Sequence, residues 1–579
     1  MTARDALPRA IERHVMPGMH LHFASTPSRS NAAVREVARA FAGRNPRFVL
    51  STTGFHSSAH TLALLGLGQR YVACSFGDHY PLPRPSRLYP SLAEAGATLE
   101  HWSLLSYVLA LRAGALGHPY AVTTSLAGTT LGEALARSGR YFELPDPRNP
   151  QSRVGLVSAL VPDIAFLHAP IGTKSGRVAF TPPYGEGLHA ALGARHGAIV
   201  TVERLVDDAA LDDAAHLAQL PRERVLAVAE EPFGAHPQPL HVSVSLPGVH
   251  GYTDDFLAYA RWREMADEPS RFVDYQHAVL GATDGAAAYR RYVGEGTLRT
   301  LTVSTGRRVE PSGSGTYRAV PCDGTLPLSA TERLVLLAAR AIRSRLADGH
   351  HRSLLAGLGP AFAAARLALL VPGPGVEPVE LVLESGIAGF DPAAMHPFLH
   401  AAANVACATR LSSIEDNLGA LACGGASRCL AVIACAEADL SGAGGDLVVG
   451  TDGATDVCTS AAEVVVLCRA DRLAARKELV GKLGARVLTV VTEDAVLERA
   501  AGNAPWRVTQ TALGTLGQVL ATLPFPLETP DASVTPVPPT AFERSLLTQL
   551  LSGSAGSSEL RRSAQSASDR VVMPNGQTR

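Results

Sequence analysis

Short apolar runs alternate with longer helical stretches along most of this 579-residue chain. Runs such as DIAFLHAP, CLAVIACAEA and EVVVLCRAD are continuous and do not alternate apolar with polar residues. Such runs are typical of parallel strands that helices cover on both faces. Stretches such as NAAVREVARAFAG and ATERLVLLAARAIRSRLADG lie between them and favour helices. The pattern therefore predicts an α/β fold built on open, mostly parallel sheets.

Two pairs of similar segments suggest that this architecture occurs twice. Residues 17–42 and 348–369 each contain a glycine, a strand-like run, a loop of small residues and a helix-like stretch. Residues 160–178 and 429–449 each contain a buried strand followed by a turn with Ser and Gly. Because both pairs occur in the same order, the sequence predicts two α/β domains related by an internal repeat.

Composition places the boundaries of the two predicted domains. Residues 304–329 are rich in Gly, Ser and Pro and lack periodicity, so we predict a linker there. The polar, Ser-rich residues 552–579 are expected to form a disordered tail. The predicted domains are therefore residues 1–303 and 330–551.

Charge and hydropathy argue against several classes of protein. The 52 Lys and Arg residues nearly balance 53 Asp and Glu residues, so the sequence lacks the basic footprint of a nucleic-acid-binding protein. It shows neither an N-terminal signal-peptide pattern nor an uncharged apolar stretch of about 18 residues that would cross a membrane. None of the eight cysteines forms a CxxC pair. We therefore expect a cytoplasmic protein without a membrane span.

The best candidate for a catalytic residue is Glu384, which directly follows the strand-like run VELVL. Ligands of open α/β sheets bind beyond the carboxyl ends of the strands, and Glu384 lies at such an end. It is followed by Ser385, Gly386 and Gly389, small residues that let a substrate approach a carboxylate nucleophile. A carboxylate after a strand is also common as a solvated turn residue, so position alone leaves that alternative open.

The motif LESGIAGF resembles the Ser-Glu-Asn-Gly-Ile motif of family I coenzyme A transferases, in which the glutamate is the nucleophile. Glu384, Gly386 and Ile387 match that motif, whereas Leu383 and Ser385 replace its Ser and Asn. The motif therefore identifies Glu384 as the predicted nucleophile.

The resemblance extends over most of the chain, roughly residues 1–300 and 326–530. Residues 99–132 and 160–206 are similar to the A-type subunit of glutaconate CoA-transferase, and residues 329–369 are similar to the start of the catalytic, B-type subunit. The resemblance implies that an A-type subunit, which shapes the acyl pocket, is fused to a B-type subunit in one polypeptide.

This resemblance implies that the chain moves CoA between an acyl-CoA and a carboxylic acid. Glu384 would attack the acyl-CoA to give an acyl-glutamyl anhydride, which CoA thiolate would convert to a glutamyl-CoA thioester. A second acid would then take up CoA in a ping-pong reaction without a metal. Acyl-CoA and a carboxylic acid are the expected partners, with no nucleic acid or membrane, and the family also implies a homo-oligomer, such as a dimer.

The predicted site residues fall into two groups. Oxyanion or CoA-binding roles are predicted for glycine loops of the second half: Gly357, Gly359, Gly386, Gly389, Gly450, Gly453, Ala454 and Asp456. In the last of these loops, Asp452 stands where the family commonly has another glycine. An acyl pocket is predicted from loops of the first half, in which Arg suits carboxylate binding: Ser25, Thr26, Ser28, Arg29, Gly54, Phe55 and His56.

Several alternatives stay open within this first half. An ordinary surface loop is the alternative for Arg29, and a structural role is the alternative for His56. His56 and His60 have helical metal-ligand spacing but no matching third ligand. Asp78 and His79 also follow a strand, without an assigned role.

Departures from the family pattern leave two other functions open. The family turn after His168 normally carries an Asp and an Asn, which are Thr173 and Arg177 here. Such changes keep open a thioester hydrolase, or a decarboxylase or lyase, on the same scaffold. A non-catalytic acyl-CoA-binding protein is the third possibility, and the glycine setting of Glu384 argues against it.

Overall fold

The structure is a computed structural model that describes most of the chain. The described residues are 6–25, 29–80, 83–242, 246, 248–303, 327–371, 377–392, 396, 398, 400–435, 437–439, 446–448, 452–473, 480–482, 487–500, 504–512 and 538–554. Most of the predicted linker and tail lies outside them, as do Thr26, Ser28 and Gly450. The domain boundaries therefore stay predictions.

The first half of the chain forms an open sheet of seven parallel strands with one short antiparallel addition. In sheet order the parallel strands are Val225–Glu230, Gly197–Val206, Ile164–Thr173, His20–Phe23, Phe48–Ser51, Gly68–Ala73 and Thr98–His101, and Val178–Ala179 pairs antiparallel with Ile164–Thr173. Smaller sheets join Gly54–Phe55, Ser75–Asp78 and Arg84–Pro85; Tyr120–Thr123, Asn149–Ser158 and Tyr141–Asp146; and Gly251–Tyr252 and Thr302–Val303. The helices are Ala6–His14, Asn31–Phe41, His60–Leu64, Leu88–Glu94, Leu104–Ala115, Thr130–Arg137, Gly187–Gly193, Phe256–Asp267, Phe272–Tyr275, Gly285–Val293 and Glu295–Leu301.

The second half forms a nine-stranded sheet whose five central strands are parallel. In sheet order its strands are Arg410–Leu411, Ile387–Ala388, Glu380–Val382, Ser353–Ala356, Cys429–Ala434, Glu463–Leu467, Val487–Val491, Ala495–Glu498 and Arg507–Thr511. A smaller sheet joins Glu437–Asp439, Asp446–Val448 and Val480–Lys482. The helices are Ala330–Ala347, Pro360–Leu370, Ala402–Cys407, Ala454–Ser460 and Ala541–Ser554, with a π-helical segment Glu415–Ala422.

The two sheets share one topology, as the repeated segments predict. In the first sheet, His20–Phe23 lies between Phe48–Ser51 and Ile164–Thr173; in the second, Ser353–Ala356 lies between Glu380–Val382 and Cys429–Ala434. A helix follows the middle strand in each sheet, because small residues turn the chain and an Ala-rich stretch then packs on the sheet. The prediction of two mostly parallel α/β sheets related by an internal repeat is therefore confirmed.

The two halves pack against each other through a shared apolar cluster and specific backbone contacts. Leu105 of the first half and Leu418 of the second belong to the same buried cluster. The Leu104 N–H donates to the Asp452 carbonyl over 3.1 Å, and the Tyr184 N–H donates to the Ser412 carbonyl over 2.8 Å. Loops after the strands of one sheet therefore meet loops of the other. In the described part of the chain, no helix is both long and apolar enough to cross a bilayer.

Candidate active site

A cavity of about 120 Å³ lies between the two halves of the chain. Loops that follow strands of both sheets line it, as the strand-end rule predicts. These residues include Ser25, Arg29, Thr53, Gly54, His56, Ser75, Asp78 and His79 from the first half, and Glu384, Ser385, His400 and Asp452 from the second. One water needs at least about 10–15 Å³ of such space, so the cavity suits an acyl group of a few carbon atoms.

Glu384 stands on a tight turn between the antiparallel strands Glu380–Val382 and Ile387–Ala388. The Leu383 N–H donates to the Ile387 carbonyl over 2.8 Å and closes the turn. Gly386 adopts a φ of +92°, and a Cβ there would lie 2.8 Å from the Ser412 carbonyl oxygen, so the turn needs glycine. The sequence Leu-Glu-Ser-Gly-Ile thus folds into a hairpin that directs Glu384 toward the cavity.

A buried asparagine holds this turn in place. The Nδ2 group of Asn417 donates to the carbonyls of Leu383 and Ile387 over 2.9 and 3.1 Å. Its Oδ1 accepts from Arg410 Nη1 over 3.0 Å. Because the two carbonyls flank Glu384, Asn417 fixes the position of the candidate nucleophile. Sequence reasoning missed it, and the available signal was a lone amide within the apolar stretch NLGALAC.

The Glu384 carboxyl lies against the loop that contains Asp452 and Gly453. The Gly453 N–H donates a hydrogen bond to Glu384, and a Cβ at Gly453 would collide with Glu384 Oε2. Burial and the negative charges of Asp452 and Asp456 raise the pKa of Glu384 to about 8, and the Gly453 hydrogen bond opposes this shift. The carboxyl therefore holds a proton more tightly than an exposed glutamate does.

Three of the predicted oxyanion donors are already engaged in the fold. The N–H groups of Gly386, Gly389 and Gly357 donate to the carbonyls of Leu383, Leu381 and Val432 over 3.3, 3.0 and 2.8 Å. These backbone bonds close the hairpin and the adjacent strand pair, so the predicted oxyanion role does not fit these glycines. Gly359 caps the helix Pro360–Leu370 and is not among the residues that line the cavity.

Asp456 and Ala454 lie where the two halves of the chain meet, and the CoA contact predicted for them stays a prediction. Asp456 is fully buried, and its Oδ2 accepts the Leu105 N–H over 2.9 Å at the start of the helix Leu104–Ala115. A helix N-terminus stabilises a carboxylate. Ala454 packs against the shared apolar cluster. The loop therefore joins the halves, and Gly453 is its predicted site residue that contacts Glu384.

Arg29 and His56 form one wall of the cavity. Arg29 Nη1 donates to the Gly54 carbonyl over 3.2 Å, and its Nη2 contacts His56 Nε2. Burial lowers the pKa of Arg29 to about 10, which leaves the guanidinium charged at neutral pH. Burial and the charge of Arg29 hold the pKa of His56 well below its usual value, so that imidazole is neutral. Among the described residues no carboxylate forms an ion pair with Arg29, which suits an anionic ligand.

Ser25 also lines the cavity, whereas Phe55 does not. The Ser25 N–H and Oγ donate to Glu186 Oε1 over 2.8 and 3.0 Å, which fixes the start of the loop. Neighbouring side chains on a strand point to opposite faces. Gly54 therefore borders the cavity, and the Phe55 ring stacks against Phe76 in the core, with centroids 5.6 Å apart. The Phe55 ring therefore does not border this cavity, and the acyl-pocket role of Phe55 stays a prediction.

The cavity also contains polar residues for which sequence analysis predicts no role. His79 Nε2 lies 3.5 Å from Asp452 Oδ2 and 3.4 Å from Ser75 Oγ. Asp78 accepts the Ser57 N–H over 2.8 Å and contacts His60 Nε2 at 3.0 Å. The sequence feature that could have indicated a site role for Asp78 and His79 is their position at the end of a strand-like run.

The histidine spacing that raised a possible metal site has a structural explanation. His60 is fully buried and contacts Asp78 and, through Nδ1, the Tyr89 hydroxyl at 2.9 Å. His168 is likewise held by Thr201 and Glu203, at 2.9 and 2.8 Å. Over the residues with a described placement, no cluster of three or more metal-ligating side chains occurs.

Comparison with known proteins gives matches in sequence and in fold. Residues 4–225 match the sequence model of the coenzyme A transferase family. The chain is 25% identical over 276 residues to the A-type subunit of glutaconate CoA-transferase from Acidaminococcus fermentans, a match that covers 44% of this chain and 80% of that protein. The crystal structure of the acyl-CoA transferase YdiF from Escherichia coli O157:H7 has a TM-score of 0.58 at 15% identity, covering 93% of this chain and 95% of that one. This similarity places both halves of the chain in one known fold.

Proposed function

We propose that the chain is a member of the coenzyme A transferase family, whose sequence model residues 4–225 match, and that it moves CoA between an acyl-CoA and a carboxylic acid through covalent intermediates on Glu384. The observation that carries this mechanism is the position of Glu384. Its carboxyl projects from a rigid hairpin into a cavity between the two halves, and the Gly453 N–H donates to it. A carboxylate held in this way suits nucleophilic attack on a thioester.

The proposed reaction has four covalent steps. The ionised Glu384 attacks the thioester carbonyl carbon, a C–O bond forms, the C–S bond breaks and CoA leaves as thiolate. The thiolate attacks the glutamyl carbonyl of the anhydride, which releases the first acid and leaves a glutamyl-CoA thioester. The carboxylate of a second acid then attacks the glutamyl carbonyl of that thioester, which expels CoA thiolate and gives a new acyl-glutamyl anhydride. Finally, the thiolate attacks the acyl carbonyl of this anhydride, which forms the new acyl-CoA and releases the Glu384 carboxylate. The Gly453 N–H is placed to donate to the glutamyl oxygen as negative charge develops on it.

Trapping of the glutamyl-CoA thioester tests this mechanism. The purified protein is incubated with short-chain acyl-CoAs, which fit the cavity, and then treated with borohydride, which reduces an enzyme thioester to an alcohol. We expect intact-mass and peptide analysis to place the mass change at Glu384. Release of CoA from every donor with no change at Glu384 would contradict the covalent mechanism.

A thioester hydrolase is the second candidate, favoured by the contact between His79 and Asp452. A carboxylate beside an imidazole can orient it as a general base for water. A hydrolase would release CoA steadily without an acceptor acid, whereas a transferase needs the acceptor to turn over. Measurement of CoA release with and without added acids distinguishes them.

We propose that Arg29 binds a second carboxylate of the acyl group or acceptor acid. A buried guanidinium beside a neutral imidazole retains free hydrogen-bonding capacity for an anion. Replacement of Arg29 by Gln should raise KM for a dicarboxylic substrate by about 10- to 100-fold, the effect of losing a charged hydrogen bond. The KM of a monocarboxylic substrate of equal length should change little. An equal rise for both substrates would assign Arg29 a structural role.

We also propose that the chain self-associates through an exposed apolar sheet face. Tyr120, Val122, Phe142 and Leu144 lie on the two strands that flank Asn149–Ser158 and are 43%, 62%, 42% and 51% exposed. Contiguous apolar residues on a sheet face are typical of a protein interface. Light scattering should give a dimer or larger assembly for the natural protein and a monomer for the double variant Val122→Glu, Leu144→Glu. An unchanged mass would exclude this face.

A further inference from the structure

A second carboxylate, Asp452, lies next to the candidate nucleophile. Its backbone carbonyl is fixed by the Leu104 N–H at 3.1 Å, and the next peptide N–H, that of Gly453, donates to Glu384. The Asp452 side chain lies 3.5 Å from His79 Nε2 and lines the same cavity as Glu384. The loop therefore brings two carboxylates together and gives only Asp452 an imidazole partner.

The surroundings of the two carboxylates favour ionisation of Asp452 before Glu384. Burial alone would raise the pKa of Asp452, but hydrogen bonds from His79 and Ser75 and the electrostatic attraction of His79 lower it overall. Burial and the negative charge of Asp452 instead raise the pKa of Glu384. Two carboxylates in one site do not ionise independently, so the first to ionise holds the proton on the second.

The other titratable groups around this pair are Cys74, His400, His101 and Asp456. Burial raises the pKa of the Cys74 thiol well above its usual value, so the thiol is neutral. Burial lowers the pKa of His400 to about 3 and also lowers that of His101, so both imidazoles are neutral. Burial raises the pKa of Asp456 to about 6, so Asp456 ionises at lower pH than Glu384. It is farther along the loop, accepts the Leu105 N–H and raises the pKa of Glu384 less than Asp452 does. Asp452 is thus the principal charged neighbour of Glu384.

We propose that Asp452, held by His79 and Ser75, is a positioning residue that controls the ionisation of Glu384 and so sets the pH above which the first covalent step proceeds. The inference rests on the proposed function, because it takes Glu384 as the nucleophile. In the free protein Glu384 keeps its proton until the pH rises, and the proton then leaves to solvent through the cavity. Removal of the Asp452 charge favours the ionised form of Glu384 and moves its ionisation to lower pH.

The pH dependence of adduct formation tests this role. The rate of trapped glutamyl-CoA formation is measured between about pH 5 and 9 for the natural protein and for Asp452→Asn and Asp452→Gly. We expect a midpoint at about 8 for the natural protein, which falls by about 1–2 pH units in both variants. At a pH below both midpoints, each variant should therefore react about 10- to 100-fold faster than the natural protein, relative to its own plateau. Asn and Gly differ in size but both lack the charge of Asp452. An equal shift of the midpoint in both variants is therefore due to loss of that charge.

Asp254→Asn provides the matched control. Asp254 lines the same cavity, but its carboxylate accepts from the Tyr259 hydroxyl and the Ala402 N–H, each at 2.8 Å, and does not act on Glu384. Its replacement should leave the midpoint unchanged. An adduct with the same midpoint in the natural protein and both Asp452 variants overturns this inference and leaves the proposed function standing. No adduct at any pH in the natural protein overturns the proposed function itself.

Discussion

Replacement of Glu384 by Gln should abolish the covalent adduct and lower CoA transfer by about 10⁴-fold or more, the typical cost of removing a nucleophile. The amide keeps the size of the side chain and its place on the hairpin, but it lacks the charged oxygen that attacks the thioester. Steady-state transfer between an acyl-CoA and an acid measures the loss, and intact mass after borohydride treatment measures the adduct.

Glu377→Gln is the control for this variant. Glu377 precedes the same strand, is exposed and pairs with Arg352 outside the cavity. It should retain normal transfer and adduct formation. A Glu384→Gln protein that still transfers CoA at a comparable rate would show that another group carries the chemistry.

The same variant should be more stable than the natural protein in alkaline solution. Because the pKa of Glu384 is raised to about 8 in the fold, its folded state binds a proton that the unfolded chain has lost. The free energy of unfolding of the natural protein therefore falls as pH rises from about 4.5 to about 8 and is level above that, as far as this group is concerned. Gln has no proton to lose, so its advantage in Tm should grow across this window. If the Glu384→Gln protein has a lower Tm than the natural protein at pH 8, its loss of activity is explained by unfolding.

The fold was largely predictable because its strands are buried on both faces. Such strands form continuous apolar runs, and the two pairs of similar segments fall on equivalent strands of the two sheets. The hairpin strand Ile387–Ala388 and the anchoring loop at Asp456 were not predicted as such. Their conformations depend on contacts with residues distant in sequence, such as the Asp456 contact with Leu105, 351 positions away.

The candidate site was predictable where a motif is local. Glu384, Gly386 and Ile387 lie within four consecutive positions. The positive φ that their turn requires is indicated in the sequence by Gly386. The roles of Asn417, His79 and Asp452 arise only when distant segments meet, so no spacing indicates them. Phe55 shows that a position next to site residues does not by itself place a side chain in the site. Its neighbours Gly54 and His56 border the cavity, but side chains alternate along a strand, so the Phe55 ring points into the core.

Replacement of Gly453 by Ala should lower transfer by about 100-fold with little loss of stability. Gly453 has φ −77° and ψ −5°, a conformation open to any residue, so alanine adds no backbone strain. Its Cβ would instead collide with Glu384 Oε2 and lie 3.3 Å from Leu418 Cδ2. The Glu384 carboxyl must move, and a displacement of about 1 Å at a reacting group typically costs 10²-fold. The kcat of CoA transfer and the Tm are the measurements.

Gly425→Ala isolates the steric effect in this prediction. A Cβ at Gly425 meets nothing within 4 Å, so its replacement should change neither kcat nor Tm. If Gly453→Ala loses rate and Gly425→Ala does not, the contact between the Asp452–Gly453 loop and the nucleophile is responsible. A normal rate in Gly453→Ala would contradict that contact, and with it both the oxyanion role of the Gly453 N–H and the influence of Asp452, since all three depend on one loop lying against Glu384.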